Sequence, residues 1–291
     1  MRACVTLQLP AKTPQTAVTL HGASVLLLGN GYVARALTPH LTNAGAHVDH
    51  TSREDGPLRF GSAEMRRAFE RADIVLSSIP PPKDGQDPAL KALDGVTTQA
   101  RWIGYLSATS VYGDRGGQWA FEGEAPTPSL ARGIARASAE LAWLETFPAT
   151  QIFRLAGIYG PGRAPFARIN AGKARIVDAP GHIVNRIHID DIVGALLASI
   201  ARPSPQDIYN IADGHPAPPG EVLRYAASLI GAKEPPTVAL HDPSVSDMAR
   251  TFYAETKRID IARAKKRLGW TPQFRDYKSG LRAVLSAEQA G

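Results

Sequence analysis

A single cysteine, Cys4, stands in 291 residues, so the chain closes no intramolecular disulfide and builds no cysteine-ligated metal cluster by itself. That scarcity points to a reducing, cytoplasmic setting. Long apolar runs are also missing. The stretch Val25 to Leu28 falls far short of the ~18–20 residues a membrane helix needs, and no membrane association is expected. The first residues lack a charged head followed by an unbroken apolar core, with Pro10 and Pro14 interrupting them, so no signal peptide is read there. None of the eight histidines forms an H-x-x-x-H pair, and no acidic cluster has ligand spacing, so no metal site is expected. Ser107 and Ser110 sit outside any G-x-S-x-G elbow, which removes the serine-hydrolase class.

Charge of one sign is not concentrated either. The 33 Lys and Arg are interleaved with 27 acids, and without a basic stripe interleaved with aromatics no nucleic-acid partner is expected. One denser basic group, Arg163, Arg168, Lys173, Arg175 and Arg186, suits an anionic small-molecule substrate.

Apolar runs of strand length alternate with helix-period segments from about residue 23 onward, which is the signature of an α/β fold with a parallel sheet. Strands are expected at 24–28, 47–51, 73–79, 102–106, 151–155 and 207–211, and helices at 32–44, 62–71, 128–145 and 219–229. Thr127 is expected to cap the third of these helices. Residues 1–22 read as an N-terminal extension, lying over the surface or disordered, 23–155 as a Rossmann-type doubly wound domain, and 156–291 as a smaller α/β substrate cap. Within the cap, 184–213 is expected to return to the Rossmann sheet. Trp102, Trp143 and Trp270 read as core, whereas Trp119, in a Gly-rich loop, is expected over the mouth of the site.

The strongest local signal is VLLLGNGYVARAL, where a buried strand runs through Gly29, Gly31 and Ala34 into a helix. This is a G-x-G-x-x-A dinucleotide fingerprint in its proper context. Gly29 permits the tight turn, Gly31 lets backbone approach a pyrophosphate, and Ala34 lets helix and strand pack closely. The phosphates would rest on the helix N-terminus. Asn30, Tyr32 and Val33 complete this loop. About 20 residues on, an NAD site places an acid for the ribose hydroxyls; here stand Thr51, Ser52 and Arg53, with Asp49 two residues earlier. Arg53 suits a 2′-phosphate, which favours NADP over NAD.

The order of motifs resembles the extended short-chain dehydrogenase/reductase family, including its NAD-dependent epimerase/dehydratase members. The resemblance runs through LLGNGYVARAL, LSATSVYGD, ARASAE, FRLAGIYGPGR, NRIHIDDIV, IYNIADG and KRIDIARAKKRLGWTP. It implies a nicotinamide cofactor at the C-terminal ends of the strands, a cap that selects a small substrate, and, in many relatives, homodimers paired through long helices. On the cofactor side it adds Ser78, Ile79, Pro80, Ser107 and Ala108. The family's chemistry uses a Tyr-x-x-x-Lys pair on the long helix, with a Ser or Thr at the end of the preceding strand. Counting back from Glu140, the tyrosine position holds Arg132 and the lysine position Arg136; counting back from Tyr112, the hydroxyl position holds Ala108, flanked by Ser107 and Thr109. An arginine stays protonated at any working pH and cannot serve as a tyrosine-like acid and base. Arg136 is expected to bond cofactor and Arg132 to clamp a substrate anion. Thr109 and Tyr112 join them as candidate catalytic residues, and the missing acid could come from Tyr112, Tyr159 or His188, each of which also has a structural reading, as a packed turn tyrosine or a hydrogen-bonded junction.

Overall fold

The computed structural model describes residues 18–53, 58–83 and 85–290. A seven-stranded parallel sheet forms its centre. In chain order its strands are β1 (Ser24–Leu28), β2 (His47–Ser52), β3 (Leu58–Arg59), β4 (Ile74–Ser77), β5 (Trp102–Ala108), β7 (Thr150–Leu155) and β11 (Ile208–Ile211). Their spatial order is β11-β7-β5-β4-β1-β2-β3. Chain order reverses between β1 and β4, and a doubly wound sheet opens its ligand crevice at that point, beyond the carboxyl ends of the strands.

Strand β1 shows why the residues choose this arrangement. Val25 and Leu27 face one apolar layer and Leu26 and Leu28 the other, all 2% exposed or less, as the two-residue period of a strand covered on both faces requires. The first layer holds α1 (Tyr32–Asn43), α6 (Ile189–Ala201) and α9 (Ala262–Leu268); the second holds α2 (Ala63–Arg71), α3 (Pro88–Ala92) and α4 (Ala131–Thr146). Gly45, at φ +84°, ends α1 in the left-handed conformation that glycine adopts without a Cβ penalty.

A third apolar cluster joins Tyr159, Phe166, Ile169, Val222, Tyr277 and Leu281. It lies in the C-terminal part of the chain, called the cap for its position only, whose elements are β8 (Gly157–Tyr159), α5 (Phe166–Asn170), β9 (Ile176–Asp178), β10 (Arg186–His188), α7 (Pro219–Leu229), β12 (Thr237–Ala239), α8 (Asp247–Tyr253) and α10 (Tyr277–Ala290). Two short strands, β6 (Trp119–Ala120) and β13 (Arg258–Ile259), pair in parallel outside the main sheet.

Several expectations are corrected. Residues 18–22 are not surface extension throughout: Val18 is buried in the first layer. The earlier part of the expected extension lies outside the described residues. Helix α4 starts at Ala131, three residues after the expected start, and Thr127 does not cap it; the Thr127 hydroxyl donates instead to the Tyr112 carbonyl at 3.0 Å. Besides 184–213, the segment carrying α9 also packs with the sheet layer, through Ile259, Ala264, Leu268 and Trp270.

Candidate functional site

At the end of β1 the chain turns at Gly29, φ +96°, whose N–H donates to the Thr51 hydroxyl at 2.8 Å. A Cβ there would lie 2.8 Å from Ser78 Oγ and 3.1 Å from Ile79 Cγ1, so only glycine fits. Gly31 differs. It stands at the N-cap of α1 with ordinary extended backbone, and a Cβ would meet no atom within 4 Å. Space rather than conformation is what glycine leaves here. No side chain caps the first turn of α1, so its free amides face that space, as an anion site at a helix start requires. Ala34 is wholly buried and Val33 nearly so, beneath the loop.

Around the loop, Asn30 accepts through its carbonyl from Arg35 at 3.1 Å, and Ser78 Oγ donates to the Leu28 carbonyl at 3.1 Å. Pro80 is exposed, as is Arg53, directly after β2 and Ser52. Asp49 also faces solvent. Ser77 and Ser107, near the ends of β4 and β5, carry buried hydroxyls with no partner among the described residues. Buried hydroxyls ordinarily find a partner, and these two lie on the side where the crevice opens.

The two arginines at the altered positions separate. Arg136 is half-buried and donates to the Leu106 carbonyl, with the Tyr105 hydroxyl 3.5 Å away and the Tyr105 ring beneath it. Burial pushes the Tyr105 hydroxyl pKa up, Arg136 opposing. Arg132, one turn earlier, is exposed and lines the cap cavity. Gly133 between them lets α4 approach closely, since a Cβ there would come 2.6 Å from the Ser110 carbonyl oxygen. Ala108 and Thr109 are half-buried at the end of β5.

Of the candidate catalytic residues, Arg132 lines the cap cavity, whereas Thr109, Tyr112 and Arg136 are not among its lining residues; Tyr112 is committed elsewhere. It is wholly buried; its hydroxyl donates to Asn210 Oδ1 at 2.7 Å and accepts from Arg154 at 2.9 Å. Arg154 in turn forks onto Glu140 at 2.7–3.2 Å, both side chains at most 3% exposed. Burial raises the Tyr112 pKa, Arg154 pulling the other way. A hydroxyl so committed has no proton to exchange with substrate.

The cap cavity has a volume of about 760 Å³. Arg132, Arg163, Arg168, Arg175 and Arg186 line it, with Tyr159, Phe252, Tyr253 and Tyr277 and, among the described residues, without one Asp or Glu. Four of the five basic residues grouped by sequence thus converge, while Lys173 stays outside and Arg132 joins from α4. Arg175 is tied to the Gly172 and Ala174 carbonyls at 2.7 and 2.8 Å, and Arg186 to those of Val184 and Ala217 at 2.9 and 3.1 Å. Burial lowers the Arg186 pKa, Asp213 opposing. Asp213 acts on Arg186 and Asp242 on Arg175 from outside the lining, so the excess of positive charge facing the cavity rests mainly on Arg132, Arg163 and Arg168, and a bound anion would relieve it. Phe252 and Tyr253, in the FYAETKR segment, come to the cavity by non-local folding, and their type and spacing gave no earlier sign of it.

Tyr159 and His188 meet edge to face at 5.2 Å. His188 Nδ1 accepts from the Asp190 amide, which caps α6, and burial lowers its pKa. It holds the helix start through that bond, with Asp190 acting against the effect of burial. Asp191 accepts from the Gln273 and Phe274 amides, yet burial lifts its pKa to about 6; burial likewise lifts that of Asp213 to about 7. The Tyr159 hydroxyl is buried without a partner among the described residues and abuts Gly280. Trp119 is half-exposed and is not among the residues that line the cavity. No helix among the described residues is long and apolar enough to cross a membrane.

No family model matches the chain. Among curated proteins it is similar to Protein YeeZ of Escherichia coli K12, 42% identical over 119 residues, 39% of this chain and 40% of that protein. It is also similar to a 3-diazoavenalumate denitrifying reductase of a Streptomyces species, 30% identical over 168 residues, 54% of this chain and 55% of that protein. The chain thus aligns with about half or less of the length of these relatives. A solved structure of a functionally unknown conserved protein from Silicibacter pomeroyi matches at 38% identity and TM-score 0.82, over 91% of this chain and 99% of that one. Two further structures share the fold. MoeE5 in complex with UDP-glucuronic acid and NAD matches at 20% identity and TM-score 0.73, over 92% and 99% of the two chains. A UDP-glucose 4-epimerase of Thermotoga maritima matches at 18% and 0.74, over 91% and 98%.

Proposed function

We propose that this chain, which belongs to the same family as the conserved Silicibacter pomeroyi protein and has the fold of the extended short-chain dehydrogenases/reductases and NAD-dependent epimerases, is an NAD(P)-dependent oxidoreductase or epimerase-like enzyme for a small anionic substrate. The observation that carries this is the loop at the sheet's switch point, where Gly31 fronts open space and the first turn of α1 is uncapped. The donor set fits a dinucleotide: the loop from Gly29 to Val33 would hold the pyrophosphate, Ser52 and Arg53 the adenosine ribose, and the segment from Ser78 to Pro80 with Ser107 and Ala108 the far half. Arg53 favours NADP, and the reductase among the relatives accords with a reductive role. When bound, the nicotinamide supplies hydride transfer.

The chain's own residues then have limited parts. Arg136, already bonded to the Leu106 carbonyl, would steady the end of β5 and the cofactor edge. Arg132 would pair a substrate anion and offset charge that develops on it, without giving up a proton. Thr109 is the half-buried hydroxyl next to the altered position and could relay a proton. The substrate side is residues 156–291, and a cytoplasmic setting, expected from the cysteine count, belongs to the same proposal.

In Arg132→Ala and Arg168→Ala, NADPH binding persists while affinity for inorganic phosphate, titrated calorimetrically into the NADPH-saturated protein, falls about 10-fold or more. That is the loss of one charged hydrogen bond, roughly 1.5–3 kcal/mol. Unchanged affinity in both variants would take the anion out of the cavity.

A second reading is a non-catalytic NAD(P)-binding sensor or scaffold, favoured by the arginines at both altered positions. Tight cofactor binding with no change in nicotinamide absorbance across a screen of carbonyl and hydroxy compounds would establish it.

We also propose pairing of two copies across the outer face of α4. Ile134 and Leu141 are 51% and 57% exposed there, beside a groove of about 1730 Å³ that runs between α3 and α4. Leu141→Glu shifts the mass measured by light scattering from two chains to one; a single-chain mass for the unaltered protein removes the dimer.

A further inference from the structure

We propose that Tyr32 is a positioning residue that ties the dinucleotide loop to the cavity's anion site by holding Arg163 in place. The inference rests on the proposed function and deepens it. Tyr32 is the first residue of α1, directly after Gly31, so its backbone belongs to the loop that would cradle a pyrophosphate. Its side chain reaches elsewhere. The hydroxyl donates to the Pro161 carbonyl at 2.9 Å, and the Arg163 guanidinium lies over the ring at 4.3 Å.

The turn that carries Arg163 is shaped for this contact. At Gly160 a Cβ would come 2.5 Å from the Tyr32 hydroxyl and 2.6 Å from Ile189 Cγ2, so a side chain there would displace the tyrosine. The Arg163 amide closes the turn onto the Gly160 carbonyl at 2.9 Å, and the Gly162 amide donates to Glu288 in α10 at 3.0 Å. Arg163 has no ion-pair partner among the described residues, and it lines the cavity. Its guanidinium is therefore fixed on one face by an aromatic ring and left with its donors unpaired by any carboxylate, which suits it to a phosphate or carboxylate group.

A side chain of the cofactor loop thus decides where a substrate-side cation stands. Occupants of the two sites then influence each other's affinity, and to the same extent in both directions.

The test titrates inorganic phosphate calorimetrically into protein saturated with NADPH, for the unaltered chain, Tyr32→Phe, Tyr32→Ala, Arg163→Ala and the Tyr32→Ala/Arg163→Ala double variant. Thermal unfolding of each confirms an intact fold. Tyr32→Ala should weaken phosphate about 5-fold or more, as much as Arg163→Ala does. The double variant should be no weaker than either single change, and Tyr32→Phe, which keeps the ring, should fall between. A Tyr32→Ala protein that binds phosphate as the unaltered chain does, while Arg163→Ala does not, overturns the proposal, as does additivity in the double variant. If the unaltered protein takes up neither NADPH nor phosphate, the functional reading beneath it fails instead.

Discussion

Replacing Gly31 by valine leaves the fold standing and abolishes dinucleotide binding. The backbone at Gly31, φ −79° and ψ −173°, is open to any residue, and the Cβ enters empty space, so stability should change by about 1 kcal/mol and by no more than roughly 2, the range among N-cap residues. The branched side chain occupies the space in front of the free α1 amides. Excluding phosphate oxygens from two such amides removes two charge-assisted hydrogen bonds, roughly 3–6 kcal/mol together, or on the order of 100-fold or more in affinity. Fluorescence titration with NADPH, beside thermal unfolding of the apo forms, reads both quantities. Gly29→Val serves as contrast: there φ is +96° and Ser78 and Ile79 crowd the new Cβ, so stability itself falls.

The second large effect is on stability. Glu140→Ala strips the partner from Arg154, which is 1% exposed between α4 and β7. A buried ion left alone costs about 3–5 kcal/mol. At ~2–4 °C per kcal/mol for a chain of this size class, the midpoint falls by about 10 °C. The loss propagates, because Arg154 also holds the Tyr112 hydroxyl, and Tyr112 holds Asn210, whose amide is bonded to Glu122. Replacing both ions by apolar residues of similar volume, Glu140→Leu with Arg154→Met, should recover much of the loss, since two desolvated charges then disappear together. Urea unfolding of the three proteins measures this; a Glu140→Ala loss below 1 kcal/mol would mean that the pair carries little.

Much of this was legible in the sequence where the signal is local. The four apolar residues of β1, Val25 to Leu28, alternate between two apolar layers, and the glycines that follow have their reasons within a few residues, so strand, turn and helix could be placed before the structure. The arginines at 132 and 136 were found by counting along one helix. Contacts between distant segments were beyond reach. Nothing near Tyr112 announces that Arg154 and Asn210 close around its hydroxyl, and a tyrosine in a turn beside a site, more often a brace than a catalyst, still had to be carried as a candidate. Thr127 followed by Pro128 has the chemistry of a helix start, yet the Tyr112 carbonyl claims that hydroxyl and the helix begins later. The cavity gathers Arg132 from α4, Arg163 and Arg175 from loops, Arg168 from α5, Arg186 from β10, and Phe252 and Tyr253 from α8; the arginines were foreseen, the 163–186 group from its density and Arg132 from its place on the long helix, and the two aromatics were not. Lys173 lies among those arginines in the chain but outside the cavity.

The claim on which the rest depends is that the glycine loop holds a nicotinamide dinucleotide. Thermal unfolding of the purified protein with NAD+, NADH, NADP+ and NADPH, at matched concentrations and low phosphate, tests it most directly. A ligand at about 100 times its dissociation constant adds roughly 2.7 kcal/mol to stability. The account predicts a clear rise in midpoint, larger with the NADP pair because of Arg53, and no rise with any of the four in Gly31→Val. No shift in the unaltered protein with any of them would contradict it.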